Sequence, residues 1–231
     1  MVSAETCPPL LLPHGRSRMS KADVIQRLCE KRLIAAIRAD DPAGLTTICR
    51  ALMAGGITSW EVPMICPAMP DFIAEVAPEF PDFQFGLSTV IDTETARRGI
   101  LAGVRFISTP SLRPQVILLC RRHQIPVICG AHSAEEMDAA LIAGADALKL
   151  YPSETRFGPT HMRETRAALP RELLFPIGGV TPDTVADFFA LGADAAFASS
   201  SLRDPTQTGP PDADAIAAAA QQLVEALAPI S

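Results

Sequence analysis

A lysine set alone in an apolar run is the group in this sequence best suited to covalent chemistry. Lys149 stands in DALKLYPSE between Leu148 and Leu150, and it is one of only three lysines among 20 basic residues. The other two, Lys21 and Lys31, lie in a charged N-terminal stretch. Lysines are seldom fully buried without a partner or a task. Burial favours the neutral amine, which is the form that attacks a ketone to make an imine. The plainer alternative is a lysine that snorkels out at the strand end or pairs with a carboxylate. Glu61, in SWEVPM between Trp60 and Val62, is a matching oddity. A carboxylate among apolar neighbours can take a proton and give it back. Its own alternative is an ion pair with Arg38 or Lys149. Together the two suit imine–enamine chemistry, with the amine forming the covalent bond and the carboxylate moving protons.

Other polar groups close apolar runs in the same way. PIGGVTPDT (176–184) puts Gly178 and Gly179 ahead of a helix, where backbone amides can cradle a phosphate. FASSSL (197–202) adds the hydroxyls of Ser199 and Ser200. Arg38, at the end of LIAAIR, has the fork geometry to hold a carboxylate, or else pairs at a rim with Glu61 or Asp40. Thr89, Thr109 and His132 end three further runs. His132, Cys129, Cys66 and Glu61 are metal-ligand types, but with four histidines and no HxH or HxxxH spacing no metal site is expected. His132 reads better as a hydrogen-bonded residue, and the two cysteines as inert thiols.

The elements that must carry these groups alternate along the chain. Apolar runs at 33–38, 59–64, 83–90, 105–110, 126–131, 147–152, 173–179 and 195–200 have the character of parallel strands buried on both faces. Helical spacing fills the gaps, with starts at Asp41-Pro42, Ser133 before a Glu pair, and Thr181-Pro182, and a last helix at about 212–227. Eight such units predict a (β/α)8 TIM barrel with an extra N-terminal helix, whose reactive groups lie at the carboxyl ends of the strands. MAGGI, LAGVRF, IAGADALKL and LGADAAF repeat a glycine before the even-numbered strands. Gly55, Gly103, Gly144 and Gly192 suit the left-handed position that closes a helix. A doubly wound sheet is the competing architecture, but no GxGxxG follows the first strand. Residues 1–19 read as a loosely ordered tail and 20–231 as one barrel domain.

Composition narrows the partners. The 231-residue chain is long enough for a substantial core, and 48% hydrophobic residues exclude wholesale disorder. A net charge of −6 argues against nucleic acid or anionic lipid as partner. No run approaches the roughly 20 apolar residues that span a bilayer, and the Leu run near the N-terminus lacks a preceding basic region. Six cysteines without a CxxC suit reduced thiols, so a cytoplasmic protein is expected.

Taken in order, LIAAIR, AGGI followed by WEVPM, GLSTV, ISTPS, AGADALKLYPS with FGP, and GGVTP resemble a known family over about 33–203. It is that of the bacterial class I aldolases acting on 2-keto-3-deoxy-6-phosphogluconate and 2-dehydro-3-deoxy-6-phosphogalactonate. The resemblance implies a (β/α)8 homotrimer without cofactor or metal that cleaves a small keto-acid substrate to pyruvate and glyceraldehyde 3-phosphate. By motif match, Lys149 falls on the Schiff-base lysine and Glu61 on the proton-shuttling glutamate. Arg38, Thr89 and Pro110 fall on the substrate-binding set, and Gly178, Gly179, Ser199 and Ser200 on the phosphate loops. The departures are Leu87 and Ser88 in GLSTV, Cys129 and His132 in ICGAHS, Ser199 in place of a glycine, and Ile65 in place of an arginine. Ile65 points to the galactonate branch or a third specificity, and Ser199 is expected to narrow the phosphate pocket. An aldolase for an unphosphorylated 4-hydroxy-2-oxo acid, a barrel isomerase or epimerase, and a non-catalytic binding protein stay open beside it.

Overall fold

The computed structural model describes residues 19–151, 158–207 and 209–228. Residues 1–18 of the tail expected at 1–19, and the YPS…FGP residues Pro152, Ser153 and Phe157, lie outside them. Ser20 opens the first helix with a capping box, its hydroxyl accepting the Asp23 amide while the Asp23 carboxylate accepts the Ser20 amide. This helix, α1 (Lys21–Lys31), precedes β1 (Leu33–Ala35) and is the expected extra N-terminal element. There follow α2 (Pro42–Ala54), β2 (Ser59–Pro63), α3 (Met69–Val76), a 3-10 turn (Ala77–Glu79), β3 (Gln84–Ser88), α4 (Thr93–Leu101) and β4 (Phe106–Thr109). The second half runs α5 (Pro114–Arg122), β5 (Val127–Ala131), α6 (Ala134–Ala143), β6 (Ala147–Leu150), α7 (Gly158–Ala168), β7 (Leu174–Pro176), α8 (Val185–Ala190), β8 (Ala196–Ala198) and α9 (Ala213–Leu227).

All ladders are parallel, in the order β7-β6-β5-β4-β3-β2-β1-β8. An isolated bridge from Ile177 to Phe197 brings β7 to β8, so the sheet is a nearly closed (β/α)8 barrel. Among the described residues no helix is long and apolar enough to cross a membrane.

Strand periodicity sorts the core into two compartments. Leu33, Ala35, Trp60, Val62, Phe85, Leu87, Val127, Cys129, Leu148 and Leu150 face outward into the layer shared with the helices. Ile34, Ala36, Phe106, Ile128, Ala147, Phe175, Ala195 and Phe197 fill the barrel interior, and Val24 and Leu28 of α1 join them. The N-terminal helix thus adds its apolar face to the inner plug, opposite the end where the polar groups emerge.

The helix starts at Asp41 and Ser133 form as expected. Asp41 caps the Gly44 amide at 2.6 Å, and Ser133 makes a full capping box with Glu136. The start expected at Thr181-Pro182 is displaced. Those residues form a turn tied by Thr184, whose hydroxyl accepts the Thr181 amide, and α8 begins only at Val185. The glycine repeat needs one correction as well. Gly103, Gly144 and Gly192 take positive φ, but Gly55 does not, and Gly56 does so in its place. Gly55 is required for another reason. A Cβ there would lie 2.4 Å from the Ala220 Cβ and 2.6 Å from the Ala217 carbonyl oxygen, where α2 crosses α9. Gly55→Ala should therefore cost about 1–3 kcal/mol of stability, read as a lowered denaturant midpoint. Gly103→Ala, with nothing within 4 Å of its Cβ, isolates the left-handed backbone term alone.

Candidate active site

Counting alternate residues up each strand lists the groups that reach the carboxyl mouth of the barrel. On β2 the inward series is Ser59, Glu61, Pro63; on β4 it is Phe106, Ser108, Pro110; on β6 it is Ala147 and Lys149. Lys149 and Glu61 come from opposite sides of the chain's fold, 88 residues apart, and meet in a direct ion pair and hydrogen bond. Both are buried, with Lys149 8% and Glu61 2% exposed. The lysine head also lies 3.3 Å from the Ser108 hydroxyl and 4.3 Å from the centroid of the Phe197 ring. Phe197 belongs to the inner plug, so the amine rests on an apolar floor.

Glycines make this meeting possible. Gly130 on β5 is paired with Lys149 and lies between it and β4. With no side chain at that level, the lysine reaches across β5 to Ser108. A Cβ at Gly130 would lie 2.3 Å from the Pro110 carbonyl oxygen. On the other side, Gly86 pairs with Glu61, and the Phe106 ring fills the space that a Cβ at Gly86 would need. Glu61 Oε2 has no hydrogen-bond partner among the described residues. An unsatisfied buried carboxylate oxygen is uncommon in folded proteins and calls for an explanation.

The remaining sequence candidates are spread around the mouth. Arg38 is exposed and makes a 3.6 Å ion pair with Asp40, the rim arrangement, rather than reaching Glu61. It lines a cleft of about 250 Å³ together with Ala36, Pro63, Ile65, Ser199 and Arg203. Thr89 is exposed just beyond β3 and holds φ 59°, a costly conformation for a β-branched residue. Pro110 is exposed and contributes the backbone that packs on Gly130. Gly178 and Gly179 take successive positive φ values of 97° and 68°, and the Thr184 hydroxyl donates to the Gly179 carbonyl at 2.5 Å. That double reversal needs glycine at both positions. Ser200 is exposed after β8, whereas the Ser199 hydroxyl is turned onto the Ala36 carbonyl at 2.7 Å.

Several sequence readings change with these positions. Thr109 closes the β4 run in the sequence but pairs in register with outward-facing Cys129; the inward group of that strand is Ser108. The alternation Phe106-Ile107-Ser108 carried this signal, and counting parity from Phe106 would have found it. Leu87 packs outward against the helix layer, so its departure from the family pattern is a matter of core packing. Burial pushes the Cys129 thiol up, and Cys120 up to about 12, which suits inert thiols. Among the described residues no group of three or more His, Cys, Asp or Glu side chains is placed to hold a metal ion. His132 meets His161 of α7 with ring centroids 4.8 Å apart and planes tilted by 42°, and burial, then the charge of His132, holds His161 below the usual imidazole range. Arg203, 8% exposed in the wall of the mouth cleft, had no sequence signal at all, because nothing local distinguishes it from a solvated arginine.

Fold and site together define a class: a parallel (β/α)8 barrel whose carboxyl mouth joins a buried amine to a buried carboxylate. Comparison with known proteins narrows it. The family model for KDPG and KHG aldolase matches residues 24–219. The 2-dehydro-3-deoxy-6-phosphogalactonate aldolase of Escherichia coli (strain K12) is 31% identical over 172 residues, 74% of this chain and 83% of the relative. The 2-dehydro-3-deoxy-phosphogluconate aldolase of Treponema pallidum (strain Nichols) is 28% identical over 167 residues, 72% and 80% of the two chains. A solved structure of native KDPGal superposes with a TM-score of 0.76 at 29% identity, over 84% of this chain and 93% of that one. The chain belongs to the KDPG and KHG aldolase family and is a carbon–carbon lyase.

Proposed function

We propose that the protein is a class I aldolase that cleaves a 6-phosphorylated 2-keto-3-deoxy sugar acid to pyruvate and glyceraldehyde 3-phosphate. The observation that carries the mechanism is the buried contact between Lys149 and Glu61. A proton passed from the ammonium to Glu61 frees the amine lone pair, which attacks the ketone carbon at C2. Glu61 then protonates the carbinolamine hydroxyl, and water leaves to give the iminium. Deprotonation of the C4 hydroxyl breaks the C3–C4 bond; the aldehyde departs and the electron pair is held as an enamine on the iminium side. Glu61, able to exchange protons at each stage, returns one to C3, and water hydrolyses the pyruvate imine. Ser108 steadies the lysine head. Arg38, Thr89 and Pro110 bind the keto-acid end, and Gly178, Gly179, Ser199 and Ser200 form the phosphate side. The names of the Escherichia coli and Treponema pallidum relatives support the phosphorylated substrate class.

The nitrogen itself supplies the electron sink, so the cleavage needs no Lewis acid. A pyruvate-release assay with 2-dehydro-3-deoxy-6-phosphogalactonate and -gluconate should give turnover that EDTA leaves intact. An isomeric sugar phosphate as product, or activity restored only by added metal, would refute this reading. A cytoplasmic homotrimer completes the proposal, and sedimentation of the purified chain checks the assembly.

A further inference from the structure

The mouth cleft contains two guanidinium side chains of different status. Arg38 has Asp40 within 3.6 Å and is largely solvated. Arg203 is 8% exposed, and among the described residues no carboxylate lies within ion-pair reach of it. Its hydrogen-bond partners are neutral. Nη1 donates to the Arg38 carbonyl at 2.9 Å and Nη2 to the Gly209 carbonyl at 2.8 Å. The adjacent acid, Asp204, also lines the cleft, but its carboxylate accepts from the Thr206 amide and hydroxyl at 2.8 and 2.7 Å and makes no ion pair with Arg203. A guanidinium removed from water whose direct partners are neutral keeps a positive charge that no ion pair offsets, and three of its five N–H groups remain beyond those two bonds. Such a group in a cleft wall is an oxyanion receptor in waiting.

Its position relative to the amine says which oxyanion. On β8, Phe197 lies beneath the Lys149 head, and Ser199, the next residue on the inward face, lines the cleft. On β2, Pro63 follows Glu61 on that face and lines the same cleft. The cleft is thus one side-chain layer above the amine–carboxylate pair, roughly 6–7 Å further along the strands. The carbon chain between a C2 ketone joined to Lys149 and a substituent on C6 covers that kind of distance. We infer that Arg203, on the β8 side of the cleft, binds the distal oxyanion of the substrate and thereby sets preference for a charged tail, while Arg38, on the β1 side, serves the keto-acid end. This rests on the aldolase reading of the pair below it and adds a specificity-determining residue to it. Because Ser199 commits its hydroxyl to Ala36, the charged group on this side is supplied by Arg203.

The test compares Arg203→Met, which keeps the aliphatic stem, with wild type and with Arg203→Lys. Three substrates are used: a 6-phosphorylated 2-keto-3-deoxy acid, its unphosphorylated counterpart, and 4-hydroxy-2-oxoglutarate. In Arg203→Met the ratio of kcat/KM for a charged-tail substrate to that for the uncharged-tail one should fall about 10- to 100-fold, chiefly through KM. Arg203→Lys should restore part of that ratio. A fall confined to the phosphorylated acid assigns the site to phosphate, and one confined to the oxoglutarate assigns it to a distal carboxylate. An equal loss on all three overturns the inference and leaves Arg203 as a clamp on two carbonyls. Should the Met variant not fold, the wild-type enzyme decides: inorganic phosphate or succinate should compete with the charged-tail substrate, and competition by neither at tens of millimolar sinks the idea. Trapping the wild-type enzyme with pyruvate and borohydride separates the two levels. No adduct refutes the aldolase mechanism itself, whereas an adduct with equal losses refutes only the role of Arg203.

Discussion

Lys149→Met should lose turnover by on the order of 10⁶-fold, the scale on which removing a covalent nucleophile leaves only binding. Lys21 and Lys31 lie in α1, so no other lysine on the inward face can replace it. Incubating the wild-type chain with pyruvate and borohydride should attach one pyruvate-derived mass, and peptide mapping should find it at Lys149. An adduct at Lys21 or Lys31 only, or full activity in the Met variant, would refute the imine. The substitution also breaks a buried ion pair and leaves the Glu61 carboxylate without its cation, at a cost of about 3–5 kcal/mol. A loss of activity could then be mistaken for a loss of fold. Lys149→Met combined with Glu61→Gln removes the stranded charge, so it should regain part of the denaturant midpoint while staying inactive. That combination of recovered stability and absent turnover is what a purely structural ion pair would not give.

The second large effect divides the chemistry from the covalent capture. Glu61→Gln keeps the volume and a hydrogen-bonding oxygen near Lys149 but removes the group that exchanges protons. Turnover should fall about 10²- to 10⁴-fold, the usual scale of a positioned acid–base. Pyruvate should still be trapped on Lys149 at long incubation, because the lysine remains and can lose its proton to water, while the approach to that end point slows for want of Glu61 to take that proton. Single-turnover mixing followed by quenching with borohydride reads both quantities in one series. If trapping vanishes completely while the protein stays folded, Glu61 is needed to form the amine nucleophile rather than to move protons later. If kcat is unchanged, the carboxylate serves only as the lysine's structural partner.

Much of this architecture was legible along the chain because its causes are local. The apolar runs alternate with helical spacing, and caps such as Asp41 and Ser133 act within three residues of themselves. Where the cause of a feature was elsewhere, local reading missed it. Gly55 resembles a helix-closing glycine in its phrase, but α9 arriving over α2 is what forbids a side chain there. Thr109 looks like the strand-end hydroxyl, yet its register with Cys129 turns it outward and leaves Ser108 beside the amine. Arg203 resembles any surface arginine until the loop after β8 folds back on β1 and takes it out of water.

The sequence by itself determined the repeat of strand and helix, and with it the barrel. It also determined that just one lysine would belong to that barrel, set in an apolar strand. Those properties depend on residue type and short-range periodicity, which no distant contact can change. Which groups meet was decided only by closing the sheet. Closure carries Glu61 to Lys149 across 88 residues, leaves Gly130 as the open level between the lysine and Ser108, and buries Arg203 one layer above them. A barrel interior is assembled from side chains of every strand at once, so its contacts depend on shear and register, quantities that no single segment contains.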